Sequence, residues 1–158
     1  MKYRRLTKTE LEPLEQEFIN FLVVNGITAD EWEKLQKEAP EKCKQVTDQF
    51  SDVVFEGIMR KVRYLELRTP TSVKVFQCLP EEMVLVGMDA PENSDVNFMD
   101  SDFIAEASQN PPAGLRVYTT TKPYAEERET ELFDMTQRGC TISDDRLFKA
   151  LCMSLPGL

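Results

Sequence analysis

Val73-Lys-Val-Phe-Gln-Cys-Leu79 and Met83-Val-Leu-Val-Gly-Met88 are separated only by Pro80-Glu81-Glu82, and this stretch decides the fold. Both runs are short, apolar and rich in β-branched residues. A Pro-led polar break between two such runs predicts a β-hairpin. Tyr64-Leu-Glu-Leu-Arg68 precedes the pair and ends at Thr69-Pro70; it reads equally as a strand or as the end of a preceding helix. Downstream, Leu115-Arg-Val-Tyr-Thr-Thr-Thr121 alternates as a further strand does. The sheet is expected to be small and antiparallel, with three to four strands.

On the N-terminal side the pattern is helical. Thr7-Lys-Thr-Glu10 and Thr28-Ala-Asp-Glu31 have capping-box spacing, in which a hydroxyl takes one orphan backbone N–H and a carboxylate takes another. Leu11, Leu14, Phe18, Phe21 and Leu22 recur at helical steps, disturbed by Pro13, and Asn25-Gly26 is a good stop. A second, short helix follows to about Glu38, with Trp32 and Leu35 turned inward. Pro40 opens a long helix in which Val46, Phe50, Val54, Ile58 and Val62 recur by fours. Gly57 in its middle costs about 1 kcal/mol relative to Ala and is expected to mark a close helix–helix approach.

On the C-terminal side, Pro123 is expected to start a charged helix closed by Arg138-Gly139, and Ser143 to cap a last helix that ends at Pro156. Ile142 and Leu147 stand as its hydrophobic staple. Helices, then strands, then helices again give α+β: N-terminal helices, a small antiparallel sheet and C-terminal helices, in a single domain over residues 1–158. Asp89 to Gly114 is the least organised segment, and an acidic loop of that length is functional or mobile. Phe98, Phe103 and Ile104 suggest that part of it packs down.

The chain has no histidine, and that closes many chemical routes. Histidine is the usual base beside a nucleophilic Ser or Cys and a common metal ligand. Cys43, Cys78, Cys140 and Cys152 are widely spaced, without a CxxC pair, and read as reduced, packed thiols. Met1 to Thr7 carries charge with no apolar segment behind it, which is not a secretory signal. No apolar run approaches the roughly 20 residues of a membrane span. Cytoplasmic residence is the expectation.

The net charge of -9 is unevenly placed. Residues 69–158 hold 7 Lys/Arg against 15 Asp/Glu, and none of those bases lies between Lys74 and Arg116. A polyanion is repelled by such a surface, so general nucleic-acid binding is disfavoured.

Five groups of residues are candidates for chemistry or contact. Asp95, Asp100 and Asp102, with Asp89, Glu92 and Asn97, offer hard oxygen ligands for Ca²⁺ or Mg²⁺. An EF-hand register from Asp95 matches only at its last position, Glu106, and lacks the central Gly; a solvated acidic loop is the plainer account. Carboxylate pairs are numerous, but no motif surrounds any of them. Cys140, just after Arg138-Gly139, is the only thiol with a hint of activation. Lys2, Arg4, Arg5 and Lys8 form a basic cluster that either clamps acidic neighbours or, with Tyr3 and Tyr64 as stacking faces, touches RNA. Tyr118-Thr-Thr-Thr-Lys-Pro-Tyr124 carries possible interface anchors in Tyr118, Lys122 and Tyr124. The competing account of that run is a strand end and a helix cap.

Lys2-Tyr-Arg-Arg-Leu-Thr7, Glu17-Phe-Ile-Asn-Phe-Leu22, Asn25-Gly-Ile-Thr-Ala-Asp-Glu-Trp32, Phe50-Ser-Asp-Val-Val-Phe55 and Thr121-Lys-Pro-Tyr124 resemble a family of uncharacterised proteins from Bacteroidetes of about this length. The resemblance spans most of the chain, most strongly its N-terminal third. It implies a small standalone protein and carries no activity, cofactor or catalytic residue. The residues point to a non-enzymatic protein that binds another protein, without a cofactor. The alternative is a divalent-metal-dependent enzyme or metal-binding protein using carboxylates of residues 89–106.

Overall fold

A computed structural model describes residues 1–100, 102 and 114–155. It divides into two compact units, Met1–Arg60 and Lys61–Leu158.

In the first unit Thr7 caps α1 (Lys8–Leu11) with both halves of its capping box made. Pro13 does not break the chain's path, because the residues around it form a 3-10 turn, Glu12–Leu14, before α2 (Glu15–Val24). A tighter turn spares the backbone bond that Pro cannot donate. Asn25 ends α2, and Gly26 takes φ +74°, the left-handed conformation that terminates a helix. The second box, Thr28 with Glu31, opens α3 (Ala29–Glu38), and α4 (Pro40–Lys61) follows.

The buried stripe of α4 is Cys43, Val46, Phe50, Ser51, Phe55 and Met59. The fourfold spacing expected from the sequence drifts off this stripe, since 3.6 residues complete a turn. Ile58 is accordingly exposed and Val54 only half-buried. Among the described residues Gly57 marks no close approach: a Cβ there would meet nothing within 4 Å.

Asp48, Asp52 and Glu56 stand four apart on α4 and hold the N-terminal segment. Arg5 pairs with Asp48 at 2.6 Å, and the backbone N–H groups of Lys2 and Tyr3 donate to Asp52 at 2.9 Å each. Lys2 Nζ and the Tyr3 hydroxyl both donate to Glu56. Leu6 N–H donates to Ser51 Oγ, whose hydroxyl donates to Thr47 O. Lys2 and Arg5 of the basic cluster thus clamp acidic residues of α4, while Arg4 pairs with Glu10 of α1 at 2.7 Å.

The second unit is a five-stranded antiparallel sheet: β1 (Tyr64–Thr69), β2 (Ser72–Cys78), β3 (Glu82–Asp89), β4 (Arg116–Pro123) and β5 (Thr141–Ser143), in the order β4–β3–β2–β1–β5. The expected hairpin is β2–β3, with Leu79 N–H closing onto Glu82 O. Residues 64–69 are strand, not helix end. The fifth strand exceeds the three or four expected. β5 has only three residues, too few for an alternation to register, and it exists because Tyr64, Leu65 and Glu66 pair with it.

Among the described residues two helices pack in this unit, α5 (Arg128–Gln137) and α6 (Asp145–Met153). Pro123 does not start α5; it is the last residue of β4, and α5 begins five residues later. Nor does Ser143 cap α6. Asp144 does, accepting from Arg146 N–H, while Ser143 pairs in β5 and Ile142 lies exposed. Leu147 and Leu151 of α6 pack on Val73, Val75, Val86 and Met88, on one face of the sheet. Phe98 joins that core, 1% exposed, and folds the start of the acidic segment down. Phe103, Ile104, Glu106 and Pro156 lie outside the described residues.

Candidate functional site

β4 is the long outer strand of the sheet, and it carries two of the three expected contact residues, Tyr118 and Lys122; Tyr124 follows directly. Alternation along a strand puts Tyr118, Thr120 and Lys122 on the same face. Tyr118 sits opposite Gly87 in the register, with its ring over that glycine and the Arg116 guanidinium 5.6 Å from the ring centre. Burial, then the nearby Asp89, raises its phenol pKa.

Lys122 Nζ donates to Glu131 Oε1 at 3.3 Å, and the second oxygen of that carboxylate accepts from Ala125 N–H at 2.8 Å. Glu131 is buried on α5, so these two donors compensate a carboxylate that would otherwise be costly there. The Tyr124 hydroxyl donates to Leu79 O at 2.7 Å, and burial pushes its pKa up to about 12.

Arg128 completes the arrangement. Its guanidinium donates to the carbonyls of Leu79 at 3.2 Å, Cys78 at 3.1 Å and Val62, and to Glu129 Oε1 at 3.3 Å. The structure therefore gathers Lys122, Tyr124, Arg128 and Glu131 around the β2–β3 turn. These contacts lock the end of β4 onto the sheet. Sequence inspection missed Arg128 and Glu131. Both sit in an ordinary charged helix, and their partners are mostly main-chain groups, which have no residue identity to read.

The other candidates are placed apart. Asp95, Asp100 and Asp102 are exposed, and Asp100 Oδ1 accepts from Asp102 N–H at 3.0 Å. Among the described residues they do not come together as three oxygen donors within 4.8 Å. Three of the thiols are poor nucleophiles where they stand. Burial pushes Cys78 up to about 11 and raises Cys140 and Cys152 as well, which keeps them protonated near neutrality. Tyr64 packs its ring on Phe148 at 5.4 Å.

Over residues 1–155 the chain matches a family of unknown function, DUF6495. It belongs to that family. No curated protein and no solved structure matches this DUF6495 chain. No helix among the described residues is long and apolar enough to cross a membrane.

Proposed function

We propose that this DUF6495 chain is a non-enzymatic cytoplasmic protein that binds an extended segment of another protein along the outer side of β4. One observation carries the reading. β4 is eight residues long, stands at the end of the sheet and exposes Thr119, Thr120, Thr121 and Lys122. Among the described residues no strand pairs with its outer side.

A strand edge is a row of backbone donors and acceptors ready to pair with an added strand. The opposite edge, β5, is three residues long and offers far less. The locks at Tyr118, Lys122 and Tyr124 hold β4 in place before binding, which lowers the ordering cost of association. Absence of histidine and the raised thiols of Cys78, Cys140 and Cys152 favour contact over turnover.

The test is capture from native lysate with the wild-type chain and with T120K/T121K, which adds charge along the edge. A partner retained by wild type at moderate salt and lost by the folded variant supports the proposal. Equal retention by both proteins, or retention by neither, sinks it.

A further inference from the structure

In the first unit, α2 and α3 enclose an open groove of about 330 Å³ lined by Phe18, Ile19, Leu22, Val23, Ile27 and Trp32. Its floor is held by rings packed edge to face. Phe18 meets Trp32 edge-on at 5.3 Å and Phe50 at 5.0 Å. Its wall is left in water: Ile19 is 44% and Val23 66% exposed, one helical turn apart on α2. Two apolar side chains at that spacing form a ridge of the kind that packs against another helix.

The charge of the lining is one-sided. Glu15 and Glu33 are its only charged residues, and neither is ion-paired with a cation among the described residues. An occupant must supply apolar surface for the floor and positive charge for the rim. A helix with an apolar stripe at i, i+3, i+4 and i+7, flanked by Lys or Arg, supplies both.

We infer that the α2–α3 groove is a docking site for a basic amphipathic helix of a partner protein. The groove shares no residue with the β4 edge, and the inference stands whether or not that edge binds anything.

Trp32 makes the test direct, because it is the only tryptophan in the chain and it lines the groove. The probe is a synthetic Leu/Lys helix of about 18 residues with leucines at helical spacing and no aromatic residue. Titrated into the full-length protein, it should shift Trp32 emission saturably, with a dissociation constant on the order of micromolar. V23N, which removes apolar wall without adding charge, and E15K/E33K, each checked for folding by circular dichroism, should weaken binding about tenfold or more. E126K/D134K, which makes the same charge change in the second unit, should leave it unaltered.

Four results would overturn the inference. They are equal weakening by E126K/D134K, which means diffuse attraction to an acidic chain; equal binding of a Leu/Glu probe; unmoved Trp32 emission; or self-association of the free protein abolished by V23N, which makes a second copy the occupant.

Discussion

The ring of Tyr118 occupies the space where a side chain at Gly87 would begin: a Cβ built on Gly87 lies 2.8 Å from Tyr118 Cε2 and closer still to Cζ and the hydroxyl. The two residues are cross-strand partners of β3 and β4. A glycine under an aromatic ring lets the ring lie flat on the sheet and cover backbone that would otherwise be bare.

G87A should therefore displace the ring and destabilise the protein by about 1–3 kcal/mol, the cost of overpacking. Urea denaturation gives the number. The G87A/Y118A double variant should lose less than the two single changes summed, because removing the ring removes the clash.

Asp52 accepts two backbone N–H groups from the N-terminal segment. D52A leaves both donors to water or to nothing, at about 1–2 kcal/mol given their partial exposure. Proteolysis near Tyr3 should accelerate in the same variant. Unchanged stability and unchanged cleavage would refute the clamp.

Arg128 donates to three main-chain carbonyls through one planar group. A lysine has the charge without the fork, so R128K should cost about 2–3 kcal/mol and loosen the β2–β3 turn. Faster amide exchange at Cys78 and Leu79 is the local signature to look for.

Among the groups that couple stability to pH, Glu10 and Tyr124 act at opposite ends. The Arg4 guanidinium and the Thr7 backbone hold Glu10 down at about 2, below its usual 4.5. A depressed acid contributes fully above its unfolded pKa, so this contribution fades as pH falls from about 4.5 to about 2. Its size is about 1 kcal/mol or less, since both side chains are more than a third exposed. Tyr124 is raised instead, to about 12, so its contribution is whole below pH 10 and is lost as pH climbs to about 12. Melting curves of E10Q should lose part of the acid-side dependence and those of Y124F part of the alkaline-side dependence, each leaving the opposite limb unchanged.

Cys78, buried and pushed up to about 11, should resist alkylation at neutral pH in the folded protein. Its labelling rate should follow the global unfolding rate as urea is added. Fast labelling under native conditions would show an open path to the thiol that this packing denies.

Much of the fold was legible where signals are local. Both capping boxes, the Gly26 stop and the β2–β3 hairpin depend on residues within a few positions of each other, and each forms as its spacing predicts. Ser143 and Pro123 misled for the same reason. Each carries a local helix-start preference, and each is held in a strand by pairing with a distant segment. Tyr118, Lys122 and Tyr124 were visible as residues, but their contacts with Gly87, Glu131 and Leu79 O were not.

The amino-acid order alone determined the α+β class, the acidic character of residues 69–158 and the absence of imidazole chemistry, because composition and short-range spacing suffice for these. Tertiary structure decided the fifth strand, the clamp of Lys2, Tyr3 and Arg5 on α4, the carbonyl fork at Arg128 and the groove beside Trp32. Those features join positions far apart in the chain, often through main-chain atoms that every residue shares, and only folding brings them within reach.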